Sequence, residues 1–148
     1  MSLIVGLGSP HGDDQLGWVV VDRLRPRLPA GITTDKVKGG LELLESLGGH
    51  DAAVLIDAVA PKGRPGTIRS FAWPSPELAH CARSSTHGLG LVQALQLAET
   101  LGRLPHRVNI YTIEAQDTSP GAPLSGNVAR RLDAVVEAIL RDVTCRER

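Results

Sequence analysis

Asp14, Asp57 and His87 are the residues whose types and settings suit chemistry. Asp13 and Asp14 close a glycine turn, GLGSPHGDD, that follows an apolar segment. Asp57 follows the apolar run Ala52–Ile56 (AAVLI), and His87 follows Ser84-Ser85-Thr86 at the start of a helical pattern. Two carboxylates and one imidazole make a three-ligand set with an open position. Such a mixed oxygen and nitrogen set suits a borderline divalent metal such as Zn or Ni. A histidine in a first helical turn meets the positive end of the helix dipole, which favours the neutral, ligand-competent ring. His11, in the first loop, is a candidate fourth ligand. Each residue also has a plainer role open to it. Asp13 or Asp14 can cap the next helix, Asp57 can bind loop amides, and His87 can be a cap or surface residue. His50, His80 and His106 carry no role; Trp18 and Trp73 read as core or rim, and Arg64 and Arg69 as solvated charges.

The elements around these residues must deliver them to one place. Leu3–Leu7 reads as a short buried strand ending in glycine. Leu16, Val20, Leu24 and Leu28 give the next segment a helical stripe, which Pro26 and Pro29 end. Ile32–Val37 is a second strand, Leu41–Leu47 a short helix, and Ala52–Ile56 a third strand with Asp57 at its carboxyl end. After the turn Pro61–Gly66, Thr67–Trp73 alternates as a half-exposed strand, expected antiparallel to the third. His87–Leu101 is a mostly apolar helix, and Val108–Ile113 the last strand. Gln116–Leu124 is a loop, and Ser125 caps a final helix that turns Val128, Leu132, Val135, Val136, Ile139 and Val143 inward. Alternating strands and helices imply an α/β fold with a mostly parallel sheet covered on both faces. With the first strand between the second and third, Asp14 and Asp57 flank the switch-point crevice where such sheets bind ligands.

The bulk numbers narrow the function. A chain of 148 residues suits one domain, 1–148. Lys and Arg total 16, as do Asp and Glu, so no broad basic field is available for nucleic acid. Cys81 and Cys145 form no CxxC pair, which argues for reduced thiols in a cytoplasmic protein. No signal-like segment or membrane-length apolar run is visible. The first turn fails two nucleotide motifs. Gly6 and Gly8 are followed by His11 where a dinucleotide fingerprint needs its third glycine, and no lysine supplies a Walker A loop.

The chain resembles the hydrogenase maturation proteases. GLGSPHGDDQLG is similar to that family's glycine and Asp-Asp opening, while VLIDAV around Asp57 and STHGLGL around His87 are similar to its second and third motifs, in the same order. PLSGNV near the end also looks familial. The resemblance implies a phosphorylase/hydrolase-like three-layer domain with a twisted five-stranded mixed sheet between helices. It implies an aspartic-type endopeptidase that removes a C-terminal extension from a [NiFe] hydrogenase large-subunit precursor after nickel insertion. Asp14, Asp57 and His87 match the nickel-binding residues, with Asp14 and Asp57 also the catalytic candidates. The nickel is understood to be carried by the precursor, with Zn or Cd as surrogates; the precursor is the partner, with no nucleic acid or membrane. Two departures bear on the loop's geometry and on the client: Ser9 replaces the usual Asn, and the loop from Gly8 to Asp13 is one residue short. Other readings are a metal-sensing adaptor that does not cut, a protease of the related spore-germination type, and a peptidyl-tRNA hydrolase, whose opening LIVGLGSP resembles but whose Tyr and TRHN are missing.

Overall fold

The computed structural model describes residues 2–61, 63–81 and 90–146. Strands β1 (Ser2–Leu7), β2 (Ile32–Val37), β3 (Ala52–Val59), β4 (Ile68–Ala72) and β5 (Arg107–Glu114) form one sheet in the order β2-β1-β3-β5-β4. β1 pairs in parallel with β2 and β3, β3 in parallel with β5, and β4 is antiparallel to β5. The first strand therefore lies between the second and third, as expected.

Period-two alternation sorts the strands onto two cores. Leu3, Val5, Leu7, Ala53, Leu55, Val108 and Ile110 face one side, under α2 (Gly40–Leu47), α3 (Pro76–Cys81) and α4 (Leu91–Thr100). Ile4, Val54, Ile56, Tyr111 and Ile113 face the other, under α1 (Leu16–Leu24) and α6 (Leu132–Arg146). Burying each Leu or Ile is worth about 1.5–3 kcal/mol. A one-residue slip would exchange the two sets, so this layering fixes the register.

Several expectations change. β4 runs in the expected direction, but its neighbour is β5, not the third strand. The reason is burial: β5 has apolar residues on both faces, whereas β4 exposes Arg69 and Ser70 and suits the sheet's edge. β3 does not stop at Ile56 but runs through Asp57 to Val59. A short helix, α3, begins at Pro76, where a missing N–H costs a helix nothing. The final helix is split into α5 (Gly126–Ala129) and α6, and Ser125 makes no side-chain cap. α4 begins at Leu91; Ser84–Thr86 and His87 lie outside the described residues. Among the described residues no helix is long and apolar enough to cross a membrane.

Candidate functional site

β1 and β3 pair only as far as Gly6 and Ile56, and then part. Gly17, early in α1, fits into that parting. A Cβ there would lie 2.3 Å from the Leu7 carbonyl oxygen and 2.8 Å from that of Ile56. α1 reaches the carboxyl ends of the strands because residue 17 has no side chain. A cavity of about 590 Å³ opens at this switch point, lined by Asp14, Asp57, His11, Lys38, Ala58 and Gln116 among others.

Asp14 sits in a 3-10 turn, Gly12–Gln15, that is fastened to the loop after β5. Gly12 N–H donates to the Ala122 carbonyl at 2.8 Å, Asp13 N–H to Asp117 at 2.7 Å, and Gln15 Nε2 to Ala122 at 3.0 Å. Gly12 has φ +55°, and a Cβ on it would lie 2.2 Å from the Asp117 carbonyl oxygen, so residue 12 is held to glycine twice over.

Neither Asp13 nor Asp14 caps a helix. The cap position of the turn is His11, without a side-chain bond. The amides a cap would serve are already used by Ala122, Asp117 and the His11 carbonyl. Asp13 is fully buried instead, and its carboxylate accepts from Gln116 N–H (2.7 Å), Asp117 N–H (2.9 Å), Ser125 N–H (2.7 Å) and Ser125 Oγ (2.9 Å). Burial works against its charge, but the amides of Asp117, Ser125 and Gln116 outweigh it and hold the carboxyl below its ordinary 3.8. Asp13 is a positioning residue that sequence reasoning missed. The available signal was a loop of many amides, Gln116–Ser125, with no strand to bond them.

Asp57 lies within β3, half-buried, its carboxyl in the same cavity as Asp14. Burial pushes its pKa well above 3.8, the Asp14 charge pushes it further, and the Ala58 N–H bond opposes both. Two carboxylates thus converge closely enough to repel. His11 joins the cavity, but its Nδ1 accepts Gly121 N–H at 3.1 Å. Among the described residues no three His, Cys, Asp or Glu side chains converge as a metal site. His87 is outside them; Gly90 and Leu91, three and four positions later, line the cavity.

Two other residues differ from expectation or gain detail. Arg69 is not a plain solvated charge: it pairs at 3.0 Å with Glu114, which is 1 % exposed. Trp18 is half-buried and its Nε1 donates to the Val37 carbonyl at 3.0 Å, bracing the end of β2.

Comparison with known proteins agrees with this architecture. The model of the hydrogenase maturation protease family matches residues 37–142. A hydrogenase expression/formation protein HupD from Rhizobium leguminosarum bv. viciae is 26 % identical over 145 residues, covering 94 % of this chain and 72 % of that protein. The hydrogenase maturating endopeptidase HybD from E. coli superposes with a TM-score of 0.85 at 22 % identity, covering 97 % of this chain and 91 % of that one. The hydrogenase 2 maturation peptidase from Thaumarchaeota archaeon SCGC_AB-539-E09 gives 0.73 at 26 % identity, covering 96 % and 97 %. Because the family model spans well over half the chain and the neighbours share its sheet, the chain belongs to the hydrogenase maturation protease family of peptidases.

Proposed function

We propose that this protein is the endopeptidase that removes a C-terminal extension from a [NiFe] hydrogenase large-subunit precursor once nickel has been inserted. The observation that carries the reading is the Asp14–Asp57 pair: two carboxylates brought together at the open end of a parallel sheet, one with its pKa driven up by burial and by the other. Left alone the pair costs stability, and a divalent cation entering on the substrate relieves it. Asp14, Asp57 and His87 are the proposed ligands to that cation, with Zn or Cd as surrogates for nickel. Metal binding then displaces the proton that Asp57 retains more readily than a free carboxylate. Only a loaded precursor supplies the cation, so differential affinity selects it. An ionised carboxylate of the pair takes a proton from the attacking water. The water oxygen bonds to the scissile carbonyl carbon, the C–N bond breaks, and the proton passes to the leaving amine. We place the reaction in the cytoplasm, where thiols such as the free Cys145 stay reduced.

The test is mass-spectrometric cleavage of the same organism's large-subunit precursor, with and without nickel, by wild type and by Asp14→Ala, Asp57→Ala and His87→Ala. Loss of at least about a hundredfold in rate is expected for each variant, and for omission of nickel. Undiminished cleavage by all three variants would refute the residue assignment; binding without shortening would favour an adaptor.

A further inference from the structure

We infer that the carboxyl end of β3 is a strand-addition site that holds the precursor's C-terminal extension by its main chain, just beyond the bond to be cut. The inference rests on the protease reading above and adds how the substrate lies.

The directions of the β3 amides follow from its pairing. The Val59 carbonyl accepts Ala115 N–H at 2.8 Å, and the Asp51 carbonyl accepts Arg107 N–H at 3.3 Å. Odd-numbered residues of β3 therefore bond toward β5, and even-numbered ones toward β1. Ile56, opposite Gly6, is the last even-numbered residue that β1 covers. Ala58 and Ala60 lie past that point, and both line the cavity. Pro61 disfavours the helical region for Ala60 and so prolongs the extended run before ending it. The Ala58 N–H is occupied by the Asp57 carboxylate. The Ala58 carbonyl and the Ala60 N–H have no partner among the described residues.

That pair of groups is half a ladder. In a parallel sheet, one residue bonds with its N–H to residue i−1 of its neighbour and with its C=O to residue i+1. An extended peptide residue opposite Val59 engages Ala58 and Ala60 in that way, in the place β1 would fill had it continued. A tail running parallel to β3 has its preceding residue opposite Ala58, just beyond the end of β1 at Leu7. The peptide bond entering the anchored residue is then carried past the carboxylate pair, and the anchored part is the leaving extension. The side chains at the edge are small (Ala58, Ala60), so the contact reads backbone and tolerates varied extension sequences, as in strand addition elsewhere.

Two measurements test this on the nickel-loaded large-subunit precursor of the same organism. In the first, Ala60→Pro deletes the anchoring N–H. KM is expected to rise at least about tenfold with kcat within about twofold, the change a lost main-chain anchor makes. In the second, wild-type enzyme is given semisynthetic precursors carrying a single N-methyl group at successive extension positions. One position is expected to lose at least about tenfold in kcat/KM while its neighbours lose little. This arm needs no altered enzyme to fold. Wild-type KM for a natively folded Ala60→Pro variant, together with a flat N-methyl scan, overturns the strand-addition site while leaving the protease reading intact. Failure of wild type to cut the unmodified precursor overturns the protease reading, and this inference with it.

Discussion

Replacing Asp13 by Asn tests whether one buried carboxylate holds the active-site turn. The substitution keeps the volume and one oxygen. The two carboxylate oxygens divide four donors: Oδ1 takes Ser125 N–H, and Oδ2 takes Gln116 N–H, Asp117 N–H and the Ser125 hydroxyl. In the better of its two orientations the new amide keeps its oxygen at the crowded position. Its NH₂ then faces Ser125 N–H, donor against donor. A buried N–H left without an acceptor costs about 1–3 kcal/mol, and the remaining bonds fall from charge-assisted to neutral strength, about 1 kcal/mol less in the aggregate after relaxation. The expected loss is about 3 kcal/mol. With a urea m-value of about 2 kcal/mol/M, the unfolding midpoint should fall by about 1.5 M.

The pH dependence gives a second, independent readout. The folded carboxyl is held below 3.8, so its stabilisation is fully present above the unfolded value and is lost as pH falls through the folded value. The gap between wild type and Asp13→Asn should therefore be constant near neutrality and close below about pH 4. A midpoint shift under about 0.3 M, or a gap that widens on acidification, would show that Asp13 does not hold the loop by its charge.

Asp57 carries the opposite sign. Its folded pKa is raised by burial and by Asp14, so the metal-free protein loses stability as pH rises from about 4 through that value. Asp57→Asn should melt about 2–4 °C above wild type at pH 7.5, near equality at pH 4, and cut no precursor; a lower melting temperature at pH 7.5 would contradict the repulsion. Gly12→Ala forces a side chain into a φ of +55° and against the Asp117 carbonyl, and should cost at least about 2 kcal/mol by chemical denaturation. Arg69→Ala removes the guanidinium from the buried Glu114 carboxylate, which keeps the Gly63 N–H. It should cost about 1–2 kcal/mol, with Glu114→Gln recovering part of the loss in the double variant.

The fold was largely legible because its signals are local. Apolar runs such as Ala53–Ile56 are buried on both faces, and glycine and proline mark their ends. The placement of β4 was not legible in the same way. Its alternation specifies an edge strand but not which edge, and that depends on β5 outcompeting it for the side of β3. Asp14 and Asp57 were legible as a pair since strand ends at a switch point must meet. Asp13 was not, because its partners lie 103 to 112 positions away in a loop that has no periodicity.

That loop also explains how two adjacent aspartates divide their work. In a 3-10 turn consecutive side chains point about 120° apart. With Asp13 turned inward to the amides of Gln116, Asp117 and Ser125, Asp14 is turned to the cavity. The turn is set by bonds to the loop after β5, not by the length of Gly8–Asp13. A loop one residue short can therefore still present its second aspartate. The geometry makes the two residues unequal in a measurable way: Asp13→Asn should lower stability and cleavage together, whereas Asp14→Asn should lower cleavage while leaving the urea midpoint within about 0.3 M of wild type. Equal losses of stability in the two variants would mean that the turn does not separate their roles.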